Sequence, residues 1–340
     1  MTPEFRRDPL HDTWVVFAPE RQRRPQDYKP AVLQAGALDP FAEGNERLTP
    51  PEVYAARKEK TRPNEPGWRV RVVPNRYPAL RIEGQLEATP EGLYDRVTAI
   101  GAHEVIIEAP DPKTALEDLT ISGVAEVFAG YRERILDLDK DSRFRHIHVF
   151  KNYGAAAGAS LIHAHSQLVA LPVVPPLVEG KLQRARAHYA RKQRSLFSDI
   201  LHTERRDGAR LVAENDAYVL FCPYASRFPF ELAIFPKRHS ADFTTCSPVE
   251  LHDLAEVVRF ALQRLDAVLD KPGYNLLLNL SPLKRPANDR FASAQHDYCW
   301  HVEITPRFNA LAGFELGLGA YINTVYPEEA ARFLRGEVRA

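Results

Sequence analysis

The residues Lys151-Asn152-Tyr153-Gly154-Ala155-Ala156-Ala157-Gly158-Ala159-Ser160, followed by Leu161-Ile162-His163-Ala164-His165-Ser166-Gln167-Leu168, decide how the rest of this chain is read. A loop of glycine and alanine leaves backbone N–H groups uncovered, so an anion such as a phosphate can approach the main chain closely. Two histidines follow at once. In an extended segment the period of two puts His163, His165 and Gln167 on one face, level with the end of the loop. A phosphate cradle beside paired imidazoles suggests phosphorus chemistry.

Upstream, Arg145–Phe150 reads as a strand leading into this stretch. Residues 122–138 read as a helix, because Val124, Val127, Phe128, Tyr131, Ile135 and Leu138 recur at steps of three and four. Gly101–Glu108 and Trp68–Val73 read as strands, the latter ending in Pro74-Asn75-Arg76-Tyr77-Pro78, where two prolines hold polar groups rigidly. Residues 26–66 are proline-rich and polar, and read as irregular surface chain. A further short strand around Trp14–Phe17 precedes Glu20-Arg21-Gln22-Arg23-Arg24-Pro25. There Arg21 or Arg24 has the fork geometry for a phosphate, with a solvated loop as the equal alternative.

Downstream, a basic stretch from Glu179 to Ile200 reads as a solvated linker helix. The plan of the first half then repeats. Strands at Tyr218–Phe221 and Phe230–Phe235 precede Ser247-Pro248-Val249-Glu250, a capping box with proline at the first helical position. The helix behind it carries Leu251, Leu254, Val258, Leu262, Leu265 and Leu269, and a strand at Tyr274–Leu280 leads to Cys299-Trp300-His301-Val302-Glu303. Two related halves of this kind build one extended sheet. Aligned by their histidines, Glu303 stands where His165 stands, so only the first copy keeps a nucleophile.

Composition narrows the function classes. Of 340 residues, 44% are hydrophobic, enough for a sizeable core. Forty-five basic residues balance forty-five acidic ones, so bulk charge gives no reason to expect nucleic acid or a membrane as partner. The N-terminal residues lack an apolar secretory core, which makes a cytoplasmic protein the expectation. Three separated cysteines, Cys222, Cys246 and Cys299, indicate buried thiols rather than a disulfide framework or a cysteine zinc site.

The glycine-rich loop and His-x-His-x-Gln run resemble those of the galactose-1-phosphate uridylyltransferases, a branch of the histidine triad superfamily. So do the opening Asp8-Pro9-Leu10 to Pro25 segment, Pro74–Pro78 and Gly101-Ala102-His103-Glu104-Val105. The resemblance covers nearly the whole chain. It implies an α+β fold in which two histidine-triad-like repeats form one extended, mostly antiparallel sheet with flanking helices. Residues 1–175 would be the half with the nucleophile, 176–200 a linker helix and 201–340 the second half. It further implies a homodimer with composite active sites.

The chemistry implied is a ping-pong exchange of UMP between UDP-glucose and a hexose 1-phosphate through a covalent uridylyl-histidine, His165. Imidazole suits that role, being partly unprotonated near neutral pH and a fair leaving group once nucleotidylated. By the same resemblance Ser160 and Gln167, with the amides of Gly158 and Ala159, meet the phosphoryl oxygens. Arg21, Asn75 and Asn152 contact nucleotide and phosphate, and Phe314 and Glu315 contact the sugar.

Departures from the pattern bear on metals. The family's zinc-binding Cys-Pro-x-Cys positions are Asp39 and Ala42 here, while His103 and His163 are retained. Asp39, His103 and His163 could hold zinc with water or Glu43 as fourth ligand. The preferred expectation is that hydrogen bonds such as Asp39 to His163 replace the metal. A second-half site of some relatives corresponds to His301 and Glu303, with Glu179 as the glutamate candidate and His296 a poor match; that site is expected to be altered or lost. Ala164 replaces the proline usual between the histidines, and Asn309 a lysine, which leaves the sugar open. Two alternatives remain: a phosphorylase acting on ADP-glucose or a dinucleoside polyphosphate by the same histidine chemistry, and a decayed nucleotide-binding protein.

Overall fold

A computed structural model describes residues 4–17, 38–58, 60–285, 291, 293–308 and 311–338, with the backbone alone at Asp95. The first half contains strands β1 (Glu4–Arg7), β2 (Trp14–Phe17), β3 (Tyr54–Arg57), β4 (Trp68–Pro74), β5 (Ala88–Glu91), β6 (Tyr94–Val97) and β7 (Ala102–Ile107). Helix α1 (Ile121–Leu138), β8 (His146–Tyr153) and β9 (His165–Leu171) complete it. After helices α2 (Pro176–Lys192) and α3 (Leu196–Asp207) come β10 (Leu211–Glu214), β11 (Tyr218–Phe221), β12 (Leu232–Pro236), α4 (Pro248–Leu269) and β13 (Tyr274–Asn279). The chain continues through α5 (Ala294–Asp297), β14 (His301–Pro306), α6 (Gly313–Leu318), β15 (Tyr321–Asn323) and α7 (Pro327–Arg335).

Ten strands form one sheet in the order β10-β11-β12-β14-β13-β8-β9-β7-β4-β3. Every neighbouring pair in it is antiparallel. Read outward from the β13–β8 seam, both directions follow the same plan, which is the internal repeat expressed as topology. The seam sets Asn275 opposite Asn152 and Leu277 opposite Phe150.

One face of this sheet carries α1 and α4, and the periodicity of each explains why. Thr120 caps α1 by accepting from the Gly123 N–H, and its apolar stripe from Val124 to Leu138 is buried. In α4 the capping box of Ser247 and Glu250 is formed, with Pro248 at the first position. The two stripes share one continuous core with Ile106, Val149, Leu168, Leu276 and Ile304 of the sheet.

The opposite face is treated differently in the two halves. Over the second half lie α2 and α3, whose Leu182, Ala185, Leu196 and Phe197 pack on Val219, Phe221, Ala233 and Phe235. Over the first half, among the described residues, a smaller cluster forms, with Phe41 against Trp68, Val73, Val105 and Ile107. The single solvated helix expected between Glu179 and Ile200 is thus two helices, one running on to Asp207. Its solvation is corrected too: Lys181, Leu182 and Ala185 are buried, because an apolar stripe was hidden inside the charge run.

A second sheet, β1-β2-β15, joins the chain's two ends, β15 lying parallel to β2. Strand β3 falls within residues expected to be irregular and extends the large sheet by pairing with β4. All three cysteines are buried and free. Among the described residues no helix is long and apolar enough to cross a membrane.

Candidate active site

Alternation along β9 sends His165 and Gln167 to the face that carries the Phe41 cluster, and Ser166 to the helix side. Both sides matter. On the open face, His165 Nδ1 lies 2.7 Å from the carbonyl oxygen of His163, two residues earlier. That oxygen accepts, so Nδ1 carries the proton and the lone pair is on Nε2. No hydrogen-bond partner occupies Nε2 among the described residues. Burial lowers the imidazole's pKa from its usual value, with nearby Lys151 acting in the same direction, so the ring is neutral near pH 7. The Phe41 ring stands edge-on to it at 5.3 Å between centroids.

On the helix side a buried network underlies the same strand. Lys151 Nζ donates to Glu108 Oε2 at 2.7 Å, Ser166 donates to the other Glu108 oxygen, and Tyr131 bonds Ser166. Lys151, Glu108, Ser166 and Tyr131 are all essentially inaccessible to solvent. An ion pair this buried is held by its hydrogen bonds as much as by charge, and it fixes β8, β9 and the residue after β7 to one another. Neither Phe41 nor this network was singled out from the sequence. Lys151 and Ser166 lie in the decisive stretch itself, and strict alternation already assigns Ser166 to the face opposite His165.

The loop before β9 departs from expectation. Gly158 adopts a left-handed φ of 84°, where a side chain would be strained. Its N–H, however, donates to Ala155 O at 3.0 Å, and that of Ala159 to Gly154 O at 3.2 Å. These two amides close a short 3-10 turn over Ala155–Ala157 and are not presented to a phosphate. Ser160 is exposed at the end of the loop. Asn152 sits on the seam, where its Oδ1 accepts from Asn275 Nδ2 at 2.8 Å. Asn75 follows β4 and lies beside His103, its N–H donating to His103 O at 2.8 Å.

Arg21, Arg24 and Asn309 lie outside the described residues. Phe314 and Glu315 are in α6, and Glu315 Oε2 accepts from Ala312 N–H at 3.1 Å, capping its own helix. The described hydrogen bonds bring neither residue to His165.

The candidate metal ligands do not fit a metal. His163 has Asp39 Oδ2 at 2.7 Å from Nδ1 and Ala109 O at 2.7 Å from Nε2. Each ring nitrogen already faces an oxygen at hydrogen-bond distance, so neither is open to an ion. Asp39 spends its other oxygen on Phe41 N–H at 2.9 Å, and Glu43 accepts from Gly67 N–H at 2.6 Å. His103 has Ala79 N–H at 3.1 Å from Nδ1 and Gln167 Oε1 at 2.8 Å from Nε2. Among the described residues no group of three His, Cys, Asp or Glu side chains is arranged to hold a metal ion.

The second-half candidates are likewise redistributed. His301, not Glu303, takes the place of His165: each opens its strand, and His301 Nδ1 donates to Cys299 O at 3.0 Å, again two residues earlier. Glu303 therefore corresponds to Gln167. Glu179 accepts from Gln183 at 3.2 Å, and His296 is exposed. The residue that does converge is Lys181. Its Nζ lies 2.7 Å from Glu303 Oε1, 2.8 Å from Asn279 Oδ1 and 3.3 Å from His301 Nε2.

Three acceptors match the three N–H bonds of an ammonium. The other Glu303 oxygen accepts from Arg227 at 2.8 Å, and His11 Nε2 approaches Oε1 to 3.2 Å. Burial alone would raise the Glu303 carboxyl, but Lys181, His11 and Arg227 outweigh it and hold it well below its usual value. Burial pulls Lys181 down, against the carboxylate that stabilises its charge.

The chain is similar to known proteins along nearly its whole length. The family model described as galactose-1-phosphate uridyl transferase, N-terminal domain, matches residues 1–175, and one described as a domain of unknown function (DUF4921) matches residues 118–336. The ADP-glucose phosphorylase of Arabidopsis thaliana is 33% identical over 98% of this chain and 93% of that protein. The galactose-1-phosphate uridylyltransferase of Thermotoga maritima is 28% identical over 98% of each. The crystal structure of the Arabidopsis thaliana ADP-glucose phosphorylase with bound ADP-glucose superposes with a TM-score of 0.82 at 31% identity, covering 100% of both chains.

Proposed function

The chain belongs to the galactose-1-phosphate uridylyltransferase family, and from that premise we propose that it transfers a nucleoside monophosphate from a nucleotide sugar through His165. The observation that carries this is the state of the His165 ring: neutral, anchored at Nδ1 by His163 O, with Nε2 left open beside the loop. Nε2 attacks the α-phosphorus of the nucleotide sugar, and the bond to the distal phosphate oxygen breaks. The hexose 1-phosphate leaves with that electron pair. An anionic acceptor then attacks the nucleotidyl-histidine, and Nε2 recovers its lone pair.

Charge developing on the phosphoryl oxygens calls for fixed donors. The Gln167 amide and the Ser160 hydroxyl fill this role. The Gly158 and Ala159 amides do not, being spent inside their turn. Asn152 and Asn75 lie on the nucleotide side, and Phe314 with Glu315 on the sugar side.

For the donor, similarity to the Arabidopsis thaliana enzyme supports ADP-glucose, with inorganic phosphate as the acceptor. Exchange of UMP between UDP-glucose and galactose 1-phosphate is the second reading. It is supported by Phe314 and Glu315, which match the uridylyltransferase pattern. The protein is incubated with ADP-glucose or UDP-glucose labelled on the α-phosphorus, and an acid-labile, base-stable adduct is sought. Labelling by the adenine compound, discharged by phosphate to ADP, is the expected result. Labelling by the uracil compound and discharge by galactose 1-phosphate selects the second reading, and no adduct with either overturns both.

A further inference from the structure

We infer that His103 is a positioning residue that sets the orientation of the Gln167 amide, so that the amide nitrogen and not the oxygen is offered to the substrate phosphate. Ala79 N–H is a backbone donor, and it lies 3.1 Å from His103 Nδ1. Nδ1 therefore accepts, and in a neutral ring the proton is on Nε2. The Gln167 atom 2.8 Å from Nε2 must then be its carbonyl oxygen. Both amide N–H bonds of Gln167 are left for other acceptors, on the strand face it shares with His165.

Asn75 follows the same logic. Its Oδ1 accepts from Tyr77 N–H at 2.9 Å, which fixes its amide the other way round and places Nδ2 3.2 Å from His103 Nε2. Because Nε2 is a donor, Nδ2 finds no acceptor there. Neither amide nitrogen has one among the described residues. Around His103, then, two amide nitrogens are held as unspent donors flanking the ring, beside a neutral nucleophile. Oriented donors that need no reorganisation as charge develops are what phosphoryl transfer uses. With His103 removed, the Gln167 amide is free to turn its oxygen toward the phosphate and repel it.

This inference rests on the proposed nucleotidyl transfer, and its tests separate the two. The rate of His165 labelling by α-phosphorus-labelled ADP-glucose is measured in a single turnover for His103→Leu, His103→Gln, Gln167→Leu and the His103→Leu/Gln167→Leu pair. In His103→Leu the rate falls about 10–100-fold, as when an orienting partner is lost. ADP-glucose affinity is unchanged within about threefold, well under that loss. The Gln side chain places a donor near the Nε2 position and restores most of the rate. Once Gln167 is gone, removing His103 causes no further loss.

Full-rate labelling in His103→Leu, or losses that multiply in the double variant, would overturn the inference. A measurement on the wild-type protein needs no turnover at all. Long-range 1H–15N correlation spectra must show His103 as the Nε2–H tautomer, and an Nδ1–H ring refutes the assignment even in a protein that labels. Absence of labelling in the wild type refutes the parent reading alone, and the spectrum still decides the orientation.

Discussion

His165 and His301 hold equivalent places in the two halves of one sheet, and their rings are anchored alike, each donating Nδ1–H to the carbonyl two residues earlier. Their other nitrogens have opposite fates. The Nε2 of His165 faces the side of the sheet that, among the described residues, carries the Phe41 cluster, whereas that of His301 is met by Lys181 on α2 at 3.3 Å. The ring and its anchor are not what distinguishes the two halves. What differs is the cover: α2 and α3 close the second half and bring a cation to its histidine. If His165 is the nucleophile proposed, the difference teaches that a repeat can be silenced by capping a nitrogen rather than by losing it.

The largest effect expected of any change falls on one ring alone. His165→Ala removes the nucleophile, and labelling by a nucleotide sugar falls by at least about 10³-fold. His301→Ala leaves it within about threefold, since Nε2 there is already occupied. Equal losses in the two variants would break the comparison. The same asymmetry predicts the pH profile. Because burial lowers the His165 pKa, the neutral nucleophile persists as pH falls below 6.5, and the acid limb of kcat/KM lies below that value. An acid limb above pH 6.5 contradicts the stated state of the ring.

Next in size is Lys181→Met. It leaves the buried Glu303 with Arg227 and His11 as its remaining partners and strands His301 Nε2 and Asn279 without their donor. Breaking one partner from such a cluster costs about 3–5 kcal/mol of unfolding free energy, read from denaturant midpoints at constant slope. A loss under about 1 kcal/mol would mean that Lys181 is a surface charge after all.

A smaller effect involves a third histidine, His146, whose ring nitrogens have no partner among the described residues. Burial pushes its pKa down from 6.5 to about 3. The unfolded chain then binds a proton that the folded one does not. This contribution is complete above pH 6.5 and is withdrawn as pH falls from there toward about 3. Between pH 6.5 and 5 the wild type should lose about 1–2 kcal/mol that His146→Phe does not lose, provided the larger ring packs.

How legible this comparison was in the sequence depends on the distance over which each feature is set. The stripes of α1 and α4, the Ser247–Glu250 capping box and the strands on either side of them follow from residues within a turn or two of each other. Sheet order follows from the repeat once His163–Gln167 and Cys299–Glu303 are matched. The match itself slipped by one alternation, because a His-x-Glu beside a His-x-His invites alignment by chemistry. The ladder aligns by strand start. Lys181 was unreadable for a different reason. Inside a run of Lys and Arg nothing local marks the one side chain that turns inward, and its partners lie on β13 and β14, far along the chain. Pairing of β15 with β2 is equally non-local. The spent amides of Gly158 and Ala159 depend on a turn that glycine and alanine permit but do not require.

The smallest predicted effect tests what replaced the family's cysteines. Asp39 accepts from His163 Nδ1 with one oxygen and from Phe41 N–H with the other, so it ties the ring before His165 to the aromatic that packs on it. In Asp39→Asn the amide oxygen can still hold Phe41. The amide nitrogen can donate to Nδ1 of a neutral His163 that keeps its Nε2–H bond to Ala109 O. Every hydrogen bond survives and only the carboxylate charge is lost. The expected outcome is a change of about 1 kcal/mol or less in unfolding free energy, with labelling within about threefold of wild type. Asp39→Ala strands both donors and should cost about 1–3 kcal/mol and slow labelling further. If Asn behaves like Ala, the carboxylate charge of Asp39, rather than the geometry of its hydrogen bonds, is what holds the His163 carbonyl under His165.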